Sequence, residues 1–192
     1  MAINAYARTA TDRVVIPMGH GLVRMGATPN GLTTFGLLAT FAGAGIVVSG
    51  QHLLGALVLA FATATDALDG TVARLQGSAT KWGAFYDSVS DRVSDVVLFG
   101  AAIWLVHDDP VLFVVALVAL GGALLTSYIR AKAESLGWEA TVGLMERPER
   151  VMILIAAIGF GFLAPALWVL AIGAVVTVVQ RLRTVMTQAV VS

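Results

Sequence analysis

Five aspartates, Asp66, Asp69, Asp87, Asp91 and Asp95, fall in or beside two stretches that are otherwise largely apolar. An ionisable side chain in such a setting is costly to keep and is a functional candidate by default. Asp66, Asp69 and Ala73 stand at i, i+3, i+7 on one helical stripe, and Gly83, Asp87 and Asp91 at i, i+4, i+8 on another. The short segment between Gln76 and Lys81 makes the two helices antiparallel neighbours, so their acidic faces can meet. Converging carboxylates repel one another and call for a neutralising cation. The chain has no cysteine, and its three histidines, His20, His52 and His107, are scattered. Thiolate zinc, a disulfide framework and a cysteine nucleophile are thereby excluded. Oxygen ligands point to a hard cation, one or two Mg²⁺ or Mn²⁺ ions. Gly70 and Gly83 let a ligand or backbone come close, and Arg74 and Lys81 at the rim can hold phosphate. The competing reading is a set of structural ion pairs with Arg74, Lys81 and Arg92. Asp95, one turn beyond the others, is expected to pair with Arg92 or a neighbouring helix.

The elements that carry these residues belong to a membrane. Apolar residues make up 58% of the 192 residues and charged residues 12%, against about 45–50% and about 25% in soluble domains. This excludes a soluble globular domain and a disordered chain. A spanning helix needs roughly 20 apolar residues. The charge-free stretches and their breakers give an all-α, polytopic architecture with six transmembrane helices, at about 30–49, 53–75, 82–106, 110–136, 147–163 and 166–188. Ser49-Gly50-Gln51-His52 divides the first stretch, and Pro165 the last. Ile3, Tyr6, Ala10, Val14 and Met18 recur at helical spacing opposite Arg8, Asp12 and Arg13, predicting an N-terminal amphipathic interfacial helix that ends or bends near Pro17. Residues 1–192 read as a single domain, with 1–29 a juxtamembrane segment and 30–188 the six-helix bundle. The loops at 49–52, 107–110 and 163–166 have no basic residue, and the twelve Lys and Arg gather on the opposite side. Both termini are therefore expected in the cytoplasm. Arg130, Lys132, Arg147, Arg150 and Arg181 cluster at the cytoplasmic ends of the last three spans. They read as a second, anion-binding site or as ordinary positive-inside anchoring.

The full string Asp66-x2-Asp69-Gly70-x2-Ala73-Arg74-x8-Gly83-x3-Asp87-x3-Asp91 resembles the signature of the CDP-alcohol phosphatidyltransferases at all eight fixed positions. The resemblance implies a six-span integral membrane enzyme, usually a homodimer. Asp66, Asp69, Asp87 and Asp91 would bind two divalent ions, and Asp91 would also be the catalytic base. Gly70, Arg74 and Thr80 would bind CDP-diacylglycerol. So would Pro29, Asn30, Gly31 and Leu32, which match the family's turn bordering the nucleotide, with Thr33 closing the pattern. Ser127-Tyr128-Ile129-Arg130-Ala131-Lys132, Glu146-Arg147-Pro148-Glu149-Arg150 and Val179-Gln180-Arg181-Leu182 are similar to the actinobacterial branch whose acceptor is inositol phosphate. By that resemblance Ser127, Arg130, Lys132, Arg150 and Arg181 would hold the acceptor. The chain departs from the branch in having Arg130-x-Lys132 where Lys-x-Arg is expected, and Arg and Lys differ as phosphate ligands.

The expected reaction moves the phosphatidyl group from CDP-diacylglycerol to myo-inositol 3-phosphate at the cytoplasmic face of the plasma membrane. The expected partners are these substrates, membrane lipids and a second copy of the chain, with no nucleic acid. Glycerol 3-phosphate is the alternative acceptor, since it is also anionic. An ion- or proton-coupled transporter is the reading from another class, but it calls for acids toward mid-bilayer, and here they gather toward one face.

Overall fold

The computed structural model describes residues 16–78 and 80–190. Residues 16–24 are helical (α1). Six longer helices follow: α2 (Pro29–Val48), α3 (His52–Gln76), α4 (Lys81–Leu105), α5 (Pro110–Ser135), α6 (Arg147–Phe160) and α7 (Leu163–Ala189). No strand occurs among the described residues. The expected interfacial helix falls mostly on residues 1–15, outside the described residues. Its expected end or bend near Pro17 falls at the edge of the described residues, where α1 covers residues 16–24.

The helix starts follow from capping residues. Thr28 Oγ1 accepts from the Gly31 amide at 3.2 Å, with Pro29 opening α2. Thr80 Oγ1 accepts from the Gly83 amide at 3.0 Å at the head of α4. Asp109 Oδ1 accepts from the amides of Val111 and Leu112, each at 3.0 Å, with Pro110 opening α5. Each cap satisfies amides that have no partner within the helix, and proline at the first position has none to satisfy. Pro165 corrects the expected span boundary. It lies in the first turn of α7, where a missing amide costs nothing, and the break falls instead at Gly161, whose φ of 78° ends α6.

Four helices, α2, α3, α5 and α7, are long and apolar enough to cross a membrane. Within them Thr33, Thr40, Thr63, Thr65 and Thr177 donate to the carbonyl four residues back. A hydroxyl in an apolar setting is thus satisfied by its own helix. α4 carries Lys81, Asp87, Asp91, Arg92 and Asp95, and α6 is only 14 residues long.

The described residues up to Ala42 and from Val58 to Ser94 form one compact unit; Gly43–Leu57 and the residues from Asp95 onward form another. In the first, α1 lies against α3 at Gly19, where a Cβ would stand 3.0 Å from both Thr71 Cγ2 and Leu75 Cδ1. The Ala27 carbonyl accepts from Gln76 Nε2 at 2.9 Å, tying the α1–α2 connection to α3.

In the second unit, α5 and α7 make the most extensive helix pairing. They close at Gly122, where a Cβ would stand 2.6 Å from the Ala174 Cβ. The core is built on Leu154, Ile158, Leu167 and Leu170. Side chains of α7 satisfy the irregular backbone between α5 and α6. Gln188 both accepts from Glu139 N and donates to its carbonyl, Gln180 accepts from Leu144 N, and Thr177 accepts from Met145 N. Asp95, 2% exposed, pairs with Arg147 of α6 at 3.1 Å, as its expected pairing with a neighbouring helix requires. Removing one partner of a buried pair strands the other charge, at a cost of about 3–5 kcal/mol. Arg147→Ala should therefore lower the midpoint of thermal unfolding in detergent sharply. A midpoint equal to that of the parent would show that the pair does not hold α4 to α6.

Candidate active site

α3 and α4, joined by the short turn after Gln76, bring Asp66, Asp69 and Asp87 together. One oxygen from each lies within 4.8 Å of the others. Asp69 is buried, and Asp66 and Asp87 are half-buried. With metal–oxygen bonds of about 2.1 Å, neighbouring and opposite oxygens around an octahedral ion stand about 3.0 and 4.2 Å apart. The three carboxylates fit a small hard cation after a slight closure, and the donor set is all oxygen. Asp91, one turn further along α4, is not part of this group; its Oδ2 lies 3.4 Å from Arg92 Nη1.

Thr33 of α2 holds the central carboxylate. Its Oγ1 donates to Asp69 Oδ2 at 2.6 Å, in a buried bond, with the Pro29 carbonyl as a weaker second acceptor at 3.1 Å. This bond occupies one carboxylate oxygen and orients the other.

Beside the acids lies a cleft of about 640 Å³. Its lining includes Pro29, Asn30, Asp69, Gly70, Arg74, Thr80 and Asp87. Seven of the residues expected to bind nucleotide or metal thus meet in one place. Gly83 lines the same cleft, and a Cβ there would stand 3.2 Å from Thr80 Oγ1 and 3.4 Å from Asn30 Oδ1. Glycine lets the start of α4 approach the start of α2. Arg74 donates from Nη2 to Thr71 Oγ1 at 3.0 Å, which anchors one edge of its guanidinium. Gly31 and Leu32 do not line the cleft; Gly31 is exposed and Leu32 is buried. Lys81 is exposed at the head of α4 and is also outside the lining.

The residues expected to hold the acceptor divide into two kinds. Arg150 and Arg181 are buried, 3% and 4% exposed. Arg150 Nη1 donates to Thr126 Oγ1 at 3.1 Å and to the Met145 carbonyl at 3.3 Å. Arg181 donates from Nε to the Val142 carbonyl at 2.9 Å and from Nη1 to the Thr126 carbonyl at 2.6 Å. Arg130 and Lys132 are exposed, and Arg130 Nε donates to Glu134 at 2.8 Å. Ser127 is half-buried and donates to the Ala123 carbonyl at 3.2 Å.

Sequence reasoning missed Thr28, Thr71 and Thr126, and treated Thr33 only as the end of a turn pattern. Thr28 had a usable signal, since a threonine before proline at a helix start is a capping pattern. A threonine inside an apolar helix, such as Thr126, has none.

Residues 26–189 match the model of the CDP-alcohol phosphatidyltransferase family. The chain is 41% identical to a phosphatidylinositol phosphate synthase of Mycobacterium marinum, over 94% of this chain and 83% of that protein. It is 36% identical to the enzyme of the same name from Streptomyces avermitilis, over 95% and 82%. Among solved structures, it is similar to the Mycobacterium tuberculosis phosphatidylinositol phosphate synthase with CDP-DAG bound, with a TM-score of 0.84 at 36% identity, covering 91% of this chain and 94% of that one. The same enzyme in complex with manganese and citrate also gives 0.84, at 37% identity, covering 91% and 90%. The chain belongs to the CDP-alcohol phosphatidyltransferase family. It is an integral membrane enzyme of phospholipid synthesis, and its aspartate group fits divalent metal use.

Hydrogen-bond partners of metal ligands are worth about 10–100-fold in metal affinity or activity. Thr33→Val should weaken Mn²⁺ binding, followed by electron paramagnetic resonance, by at least about tenfold. Thr33→Ser should restore it. Parent-like Mn²⁺ affinity in the valine variant would remove Thr33 from the support of the site.

Proposed function

We propose that this chain transfers the phosphatidyl group of CDP-diacylglycerol to myo-inositol 3-phosphate, releasing CMP and leaving phosphatidylinositol phosphate in the membrane. The observation that carries this reading is the cleft, where the Asp66–Asp69–Asp87 group adjoins Pro29, Asn30, Gly70, Arg74 and Thr80. The relatives named for the same activity, one of them with CDP-DAG bound, support it.

Arg74 lies against the diphosphate and Thr80 donates to it. The Thr80 hydroxyl accepts from Gly83 N through a lone pair and keeps its hydrogen for a phosphate oxygen. Pro29 and Asn30 border the cytidine, with Gly31 and Leu32 behind them in the first turn of α2. Asp66, Asp69, Asp87 and Asp91 are the proposed ligands of two divalent ions, Mg²⁺ or Mn²⁺. Bound there, the ions offset charge on the diphosphate. The acceptor hydroxyl forms a bond to the lipid-bearing β-phosphorus as the bond from that phosphorus to the bridging oxygen breaks. The electron pair leaves with CMP, and the hydroxyl proton passes to Asp91. Ser127, Arg130, Lys132, Arg150 and Arg181 receive the acceptor phosphate, which a neutral acceptor would not require.

The reading includes six spans, with both termini and the site on the cytoplasmic side of the plasma membrane, and a homodimer. Trp82 and Trp104, both exposed, support a membrane-crossing α4. They stand 22 residues apart, about 33 Å along a helix, and tryptophan favours the two interfaces of a hydrocarbon layer of about 30 Å.

With purified protein, CDP-diacylglycerol and Mg²⁺, CMP release should require myo-inositol 3-phosphate. Release with glycerol 3-phosphate alone would keep the reaction class and overturn the acceptor; release with neither would overturn both. Asp91→Asn should lower turnover by about 10²-fold or more while the protein stays folded. A near-parental rate would dismiss Asp91 as the base.

A further inference from the structure

Arg150 comes from the first turn of α6 and Arg181 from α7, and both are more than nine-tenths buried. Their guanidinium groups converge on one residue of α5. Arg150 reaches the Thr126 hydroxyl at 3.1 Å and Arg181 reaches the Thr126 carbonyl at 2.6 Å. Thr126 is itself 1% exposed, and its hydroxyl donates to the Ala123 carbonyl at 2.8 Å. That hydroxyl hydrogen is therefore committed, and a lone pair faces Arg150. The hydroxyl is a pure acceptor toward the arginine, a role neither valine nor alanine can fill.

Two positive groups do not approach one another unaided. Here neutral groups take part in holding each: Arg150 donates through Nη1, and Arg181 through Nε and Nη1. A guanidinium has five donors in a rigid fork, so fixing one edge also sets the direction of the rest. For Arg181 this leaves Nη2 as a further donor. A phosphate or other tetrahedral oxyanion presents several oxygens and is suited to two guanidiniums held side by side. Thr126 supplies an acceptor to each arginine from two oxygens of one residue, its hydroxyl and its carbonyl, and so fixes where the two guanidiniums stand relative to one another.

We infer that Thr126 is a positioning residue that spaces Arg150 and Arg181 into one receptor for the acceptor's phosphate. It acts through the arginines and does not itself touch the acceptor. The inference rests on the proposed acceptor reading of Arg150 and Arg181. It adds that the affinity of this site is set from α5 by a side chain without charge.

The test compares Thr126→Val, Thr126→Ser and Arg150→Ala in full-length protein. It reads KM for myo-inositol 3-phosphate, KM for CDP-diacylglycerol, kcat, and inositol phosphate binding by calorimetry. Loss of a hydrogen bond to a charged group should raise the acceptor KM and Kd about tenfold in Thr126→Val. The KM for CDP-diacylglycerol should not change, and Thr126→Ser should return the parent values. Thr126→Val added to Arg150→Ala should cost much less than it does alone, since its partner is already gone. If Arg150→Ala raises the acceptor KM but Thr126→Val does not, Thr126 is no positioning residue. If Arg150→Ala also leaves the acceptor KM unchanged, the acceptor reading itself fails. If Thr126→Val does not fold, Thr126→Cys, a weaker acceptor of similar size, carries the test. It should give an intermediate acceptor KM, and a parent value would overturn the inference.

Discussion

The structure is organised around mutual repulsion among three carboxylates. At the 4.8 Å that bounds the Asp66, Asp69 and Asp87 oxygens, two full charges repel by at least about 3.5 kcal/mol with an effective dielectric constant of about 20. That repulsion acts across the α3–α4 seam and would drive the helices apart. What opposes it is local and specific. Thr80 fixes the head of α4, Gly83 lets that head approach α2, and Thr33 grips Asp69 from α2. Rigid helix ends make the site a concentrated negative field that a divalent ion relieves. The closeness that is costly for ionised carboxylates is what suits the group to a divalent cation.

The acidic and basic regions solve opposite problems by the same means. In the first unit hydroxyls donate to a carboxylate, as Thr33 does to Asp69. In the second, carbonyls and a hydroxyl accept from guanidiniums, as Met145, Val142 and Thr126 do from Arg150 and Arg181. In both, neutral groups of neighbouring segments help to orient the charges. A buried charge set against a counter-ion, as Asp95 is against Arg147, serves the fold instead.

Much of this was legible in the sequence because it rests on spacing. Helical periodicity placed Asp66, Asp69 and Asp87 on facing stripes, and the boundaries of α2 to α5 lie within a residue or so of those expected. The boundary around Pro165 was misplaced because proline was read as a breaker. In the first turn of a helix it is compatible with the helix, and Gly161 ends α6 instead. The seating of Asp91 against Arg92 was foreseen only in the competing ion-pair reading, and the separation of exposed Arg130 from buried Arg150 was not legible. Both depend on side-chain direction around the helix axis, which sequence spacing alone leaves loose. Thr126 was invisible for a stronger reason: its importance comes from partners 24 and 55 residues away.

The brevity of α6 bears on the bilayer itself. Fourteen residues rise about 21 Å, well short of a hydrocarbon layer of about 30 Å. A membrane that meets so short a helix thins around it or admits water at one end. Arg150 stands in the first turn of α6, at one of its two ends. On the proposed reading of α6 as a span and of Arg150 as an acceptor ligand, a dimple at that end would bring water, and a sugar phosphate dissolved in it, toward the buried guanidinium. The thickness and lipid composition of the host membrane would then tune access of one substrate while leaving the other, already dissolved in the bilayer, unaffected.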